Sequence, residues 1–139
     1  MWVVDASVVV KWFVEERGSS AARTVLARGE TLLAPELVLV EVSNTAWKKV
    51  KRKEMTLEQG EAMVRAIPLY FDRLVESGLL ISRAYALATR LNHPVYDCLY
   101  LALAEMESIK MITDDTRLIK AVAGTEFRHR VRPLERVGG

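Results

Sequence analysis

Met1-Trp2-Val3-Val4-Asp5-Ala6-Ser7 is a short apolar run that an acidic residue ends. Consecutive apolar residues without polar alternation describe a strand buried on both faces, as found inside parallel sheets. Working outward, Thr31 to Ala34 and Ile109 to Thr113 have the same character, and Arg130 to Leu134 offers a last short strand. Helical signals fill the intervals. Ser7 is placed to cap a helix through Val14, and Gly18-Ser19-Ser20 starts another that Gly29 closes. Pro35 suits the first position of a helix running to about Arg52. Thr56 and Gln59 form a capping box ahead of a helix that ends before Pro68. Further helices are predicted over Ser82 to Leu91, about Tyr96 to Met106, and Asp115 to Val122. Residues 69–81 fit either continued helix or strand. Strands alternate with helices and no hairpin signal such as Asn-Gly appears, so the expectation is an α/β three-layer sandwich: a short, mostly parallel sheet flanked by helices.

With 139 residues, half of them hydrophobic, the chain suits a single domain over 1–139 with one core. The net charge of +2 and pI near 8.8 give no global signature of a nucleic-acid binder. The positive charge is nevertheless clustered, at Lys48, Lys49, Lys51, Arg52 and Lys53 and again at Arg128, Arg130, Arg132 and Arg136. Both clusters are open to two readings, solvated surface or contact with nucleic acid. The single cysteine, Cys98, excludes an intramolecular disulfide, and Leu99, Tyr100 and Leu101 beside it indicate a buried thiol. One cysteine and two histidines cannot supply a Cys/His metal motif. His93 and His129 would offer a metal-free acid–base pair, but nothing in the sequence brings them together. Trp12 and Trp47 are expected in core or interface packing rather than stacked on bases. No basic leader with a cleavage pattern is seen, and no uncharged run approaches the roughly 20 residues needed to cross a membrane. The expectation is a cytoplasmic protein without membrane contact. No Gly-rich phosphate loop is present, which excludes nucleotide hydrolysis of the P-loop type.

The carboxylates are unusually placed. Asp5 follows one apolar strand, and Asp114-Asp115 follows another more than a hundred residues later. Ligands bind open parallel sheets beyond the carboxyl ends of the strands, so these acids converge if the two strands are neighbours. Each acid also has a local reading as a helix cap, with Asp97 capping the helix ahead of it and Tyr96 and Leu101 as a hydrophobic staple. Glu41 interrupts the apolar Leu37-Val38-Leu39-Val40 before Val42. Buried there, it would cost several kcal/mol unless paired or metal-bound. Alternatively, Glu41, Asn44 and Lys48 form a stripe that faces water. Several carboxylates in one pocket call for a cation, and oxygen ligands favour Mg²⁺, with Mn²⁺ as substitute.

At these residues the chain resembles the PIN-domain family, especially its VapC-type toxin ribonucleases. Val3-Val4-Asp5-Ala6-Ser7 resembles the family's strand-Asp-x-Ser start, and Glu41-Val42-Ser43-Asn44 its helical Glu with an Asn one turn on. Val95-Tyr96-Asp97 before Leu99-Tyr100-Leu101-Ala102 resembles the third acid leading into an apolar helix, and Ile112-Thr113-Asp114-Asp115 the strand with Thr-x-Asp. The four occur in the family's order over residues 1–122. The resemblance implies a metal-dependent endoribonuclease, the toxin of a toxin–antitoxin pair, with Asp5, Glu41, Asp97 and Asp115 as catalytic and metal-holding acids. Ser7, Asn44, Thr113 and Asp114 would support them, the Thr-x-Asp pattern selecting Asp115 over Asp114 for the metal. It further implies an RNA substrate, a cognate antitoxin and a homodimer, for which Tyr70, Leu79, Leu80 and Ile81 are candidates. The alternative is a PIN-like module that binds RNA or protein without cutting. An aspartyl-nucleophile phosphatase would need a second Asp where Ser7 stands, and a receiver domain would need paired acids at the first strand.

Overall fold

A computed structural model describes residues 1–137. Five strands, β1 (Trp2–Val4), β2 (Leu32–Pro35), β3 (Arg73–Val75), β4 (Lys110–Thr113) and β5 (Val131–Pro133), form one sheet in the order β3-β2-β1-β4-β5. All four pairings are parallel, as expected. Helices α1 (Ala6–Val9), α2 (Ser19–Ala27), α3 (Leu37–Lys51), α4 (Leu57–Ala66), α5 (Ile81–Leu91), α6 (Val95–Glu107) and α7 (Thr116–Val122) flank it.

The unbroken apolar character of β1 matches its place at the middle of the sheet, where Val3 and Val4 are fully buried. Against β1, β2 and β4 lies α6, whose run from Cys98 to Ala104 is buried at every position. An all-apolar helix is stable in water only when other elements cover it on every side; here α5 covers the face turned from the sheet. The Cys98 thiol is buried as expected. Because the strands are parallel, their carboxyl ends share one end of the sheet. Val4 pairs with Ile112, so Asp5 and the Asp114-Asp115 pair leave adjacent strands side by side.

The sequence expectations differ from the structure at several elements. Asp5, not Ser7, caps the first helix, and α1 gives way after Val9 to a 3₁₀ turn over Val10–Trp12. Pro35 ends β2 instead of starting α3; at a strand's last residue its missing N–H leaves no ladder bond unmade. The capping box at Thr56 and Gln59 is present, both bonds made. Residues 69–81 are neither one helix nor one strand: a 3₁₀ turn at Ile67–Tyr70, then β3, then a 3₁₀ turn at Ser77–Leu79. Pro68 breaks the helix here, and Asp72 ties the start of β3 to β2 by accepting from the Leu32 backbone N–H at 2.9 Å. Pro94, not Asp97, sits at the N-cap of α6, so no staple forms and Tyr96 is exposed. Trp12 is buried, but Trp47 stands on the surface with the Lys51 ammonium 5.1 Å from its ring centre.

Candidate active site

Asp5 leaves β1 in extended conformation and caps α1 by accepting from the Ser7 backbone N–H at 3.0 Å. The Ser7 hydroxyl donates to the same carboxylate oxygen, and the Thr113 hydroxyl donates to the other. Each hydroxyl also accepts a backbone N–H, Ser7 Oγ from Asp114 and Thr113 Oγ1 from Asp115, both at 3.0 Å. Two hydroxyls therefore stitch the turn after β4 to the turn after β1, with the Asp5 carboxylate as the shared acceptor. That gives a physical reason for Asp-x-Ser and Thr-x-Asp: in each, the hydroxyl sits where one turn can reach the other.

Asp115 caps α7, accepting from the Arg117 N–H at 2.9 Å, and it also lines a cavity of about 330 Å³ with Asp5, Glu41, Asp97 and Tyr100. All four acids singled out in the sequence therefore meet in one place, and capping a helix does not take Asp5 or Asp115 out of that cavity. Glu41 does not simply face water. It is half-buried, and the fully buried Tyr100 donates its hydroxyl to Glu41 Oε1 at 2.6 Å. Asp97 lies in the first turn of α6, where the helix dipole favours negative charge.

Asp114 goes elsewhere. It is exposed and pairs with the Lys11 ammonium at 3.3 Å. Lys11 is itself buried, contacting the Arg17 carbonyl at 2.7 Å and Glu16 at 3.1 Å. Asn44 and Lys48 are exposed and line an adjoining cavity of about 440 Å³ that shares Ser7 and Glu41 with the acidic one. Thr113 is fully buried, whereas Ser7 borders both cavities.

Two groups that sequence reasoning does not place at the site belong to it. His93 Nε2 lies 2.8 Å from Asp97 Oδ2, with the imidazole almost completely buried. Asn92, in left-handed conformation at the end of α5, turns the chain so that His93 stands one helical turn ahead of Asp97. The four-residue spacing between His93 and Asp97 is the available signal. Tyr100, three residues after Asp97, reads in the sequence only as apolar surroundings for Cys98.

Crowding and burial leave an electrostatic mark. Desolvation raises the Asp5 pKa to about 7 against the lowering effect of its two hydroxyl donors, and the charges of Asp97 and Asp115 raise it further. Glu41 and Asp97 are also raised, chiefly by burial. Such a site holds protons at neutral pH or takes a cation in their place. Ligand atoms of His93, Asp97 and Asp115 lie within 4.8 Å of one another, so the donor set is carboxylate oxygens with one imidazole at the edge. That chemistry fits a hard divalent ion.

The sequence model of the PIN domain matches residues 2–124. Ribonuclease VapC3 of Pyrobaculum aerophilum is 30% identical over 118 residues, 84% of this chain and 90% of that protein. Ribonuclease VapC1 of Mycobacterium tuberculosis is 33% identical over 120 residues, 86% of this chain and 89% of its own length. The chain belongs to the PIN-domain family. Among solved structures, a toxin–antitoxin complex from Klebsiella pneumoniae superposes with a TM-score of 0.70 at 19% identity, covering 96% of this chain and 98% of that one. A second, PAE2754 from Pyrobaculum aerophilum, gives 0.68 at 18% identity over 96% of this chain and 89% of its own. At these identities the two structures speak for the fold.

Proposed function

We propose that the chain, acting as one domain, is a metal-dependent endoribonuclease that hydrolyses RNA phosphodiester bonds as the toxin of a toxin–antitoxin pair. The observation that carries this reading is the convergence of Asp5, Glu41, Asp97 and Asp115 on one cavity, with Asp5 pushed to about 7 by burial and then by the neighbouring carboxylates. The named relatives support the choice of RNA. Asp5 and Asp97 would hold Mg²⁺ or Mn²⁺, with Glu41 and Asp115 completing the set directly or through water. When bound, such an ion lowers the pKa of water and offsets negative charge on phosphoryl oxygens. The protein's own part is to aim the carboxylates. Ser7 and Thr113 fix Asp5 from both sides, Tyr100 fixes Glu41, and His93 fixes Asp97. Lys48 is exposed beside the acids, where an RNA backbone seated on them would pass.

The experiment is cleavage of a fluorescent RNA by folded, antitoxin-free protein with Mg²⁺, with Mn²⁺ or with EDTA. Cleavage with either ion and none in EDTA is expected. RNA bound but left intact with every ion would overturn the reading in favour of a non-cutting module. Removing an aiming group is expected to weaken the site without emptying it. Tyr100→Phe and His93→Ala should each lower Mn²⁺ affinity roughly 10–100-fold in calorimetric titration, the usual cost of losing a partner that orients a ligand. Unchanged affinity in both would show that they only pack.

We further propose an antitoxin segment that covers the acidic cavity and a homodimer formed through Tyr70, Leu79 and Ile81, which are exposed. Leu80, grouped with them in the sequence, is buried and belongs to the core. No described helix is long and apolar enough to cross a membrane, and the cytoplasm is the proposed location.

A further inference from the structure

The arginine-rich stretch near the C-terminus takes no part in the acidic cavity. A 3₁₀ turn over Glu126–Arg130 and the edge strand β5 fold it against the start of β4. There Lys110, Arg128, His129, Arg132 and Arg136 line a separate cavity of about 360 Å³. The acid among the lining residues, Glu126, is ion-paired with Arg90, which does not line the cavity. Among the described residues, Lys110, Arg128, Arg132 and Arg136 form no salt bridge, unlike Lys11, Arg23, Arg73 and Arg83 elsewhere in the chain. The Arg132 guanidinium is held in place by donating from Nη2 to the Arg136 carbonyl at 2.8 Å. Its Nε is buried and has no hydrogen-bond partner among the described residues.

The cavity is thus lined by several cations and, among the described residues, by no acid free to pair with them, which leaves it short of an acceptor. Unopposed cations around a fixed guanidinium favour a compact anion with several oxygens, which is the chemistry of phosphate. No Trp, Tyr or Phe lines the pocket and its cations outnumber the one imidazole, so it is suited to backbone more than to bases. Position selects the source of the phosphate. The cavity runs along the β5 edge from Pro133, level with Thr113 whose hydroxyl holds Asp5, back to Lys110 at the start of β4, three residues or about 10 Å away. Across the sheet, β5 lies two strand spacings, about 10 Å, from β1. A single strand seated on the acidic cavity reaches that far, since single-strand sites cover about 4–16 nucleotides. We propose that this basic cavity is an exosite for a phosphodiester of the same RNA strand whose cleavage is assigned to the acidic cavity. This rests on the ribonuclease reading.

The test is binding of a fluorescent single-stranded RNA of about 20 nucleotides, long enough to span both cavities, measured in EDTA so that nothing is cut. The variant is Arg128→Gln with Arg136→Gln. Both side chains are exposed, and the structure uses only the backbone carbonyl of Arg136. The double Gln variant should bind at least about 10-fold more weakly, and the slope of log affinity on log salt should fall by about 1.4, roughly 0.7 for each phosphate no longer neutralised. Arg128→Lys with Arg136→Lys should keep most of both. Unchanged affinity and slope in the Gln variant would overturn the proposal. So would inorganic phosphate shifting the Arg132 Nε resonance while RNA affinity is untouched, because the site would then serve free phosphate. Cleavage is read separately with Mg²⁺. A parent protein that cuts while the Gln variant binds normally removes the exosite alone. A parent that never cuts, but whose RNA binding depends on these arginines, removes the nuclease and leaves the exosite.

Discussion

Asp97→Asn will abolish metal-dependent RNA cleavage, by at least about 100-fold, more than the loss of a group that merely orients a ligand costs. The substitution keeps the shape of a half-buried side chain and removes a charge whose pKa is raised by burial and by Asp115. Loss of activity therefore cannot be assigned to unfolding. The metal-free variant should melt no lower than the parent, and the rise in melting temperature that Mn²⁺ gives the parent should shrink sharply. Cleavage at the parent rate with Mg²⁺ would remove Asp97 from the chemistry, and with it the assignment of the cavity.

Asp5→Asn will stabilise the metal-free protein above neutral pH and flatten its pH dependence. Asn caps a helix as well as Asp does. With the amide oxygen toward Ser7, α1 keeps its start, and the amide NH₂ donates to Thr113 Oγ1 in place of the bond that hydroxyl gives Asp5. Burial raises the Asp5 pKa from 3.8 to about 7. Across that window the folded chain retains a proton that the unfolded chain has released. The stability this group contributes is complete below the lower value and is lost as pH rises through the upper one. At 1.36 kcal/mol per pKa unit the loss is on the order of 4 kcal/mol. Glu41 and Asp97 are raised as well and act in the same direction. Urea melts of the metal-free parent should therefore show stability falling between about pH 4 and pH 7, and Asp5→Asn should recover roughly 2 kcal/mol or more at pH 8. A parent whose metal-free stability rises over this range would contradict the burial of Asp5 as a charged group. The same variant should lose cleavage, so activity and stability move in opposite directions.

The sheet was legible because β1, β2 and β4 are short apolar runs ended by polar residues, a pattern that only a strand buried on both faces explains. The acids were legible because Asp5 and Asp115 follow such strands and Glu41 interrupts an apolar helix. What escaped the sequence is what depends on side chains reaching across elements. Nothing local announces that Tyr100 meets Glu41, because the two stand on different helices 59 residues apart. His93 has the look of a loop residue because the turn at Asn92 that aims it needs a left-handed backbone only visible in three dimensions. Residues 69–81 were unreadable because their strand is three residues long and stands between 3₁₀ turns, too short for either period to show. The Thr-x-Asp pattern selects Asp115, but where Asp114 goes instead is hidden, because its partner Lys11 lies about a hundred residues earlier.

The hydrogen bond from Thr113 to Asp5 joins residues 108 apart in sequence. A ribosome that has released the chain as far as Leu91 has exposed Asp5 and Glu41 but neither of the other two acids. The four-acid cluster is thus complete only once the chain through Asp115 has been made and folded, and a fragment that stops at Leu91 lacks two of its members.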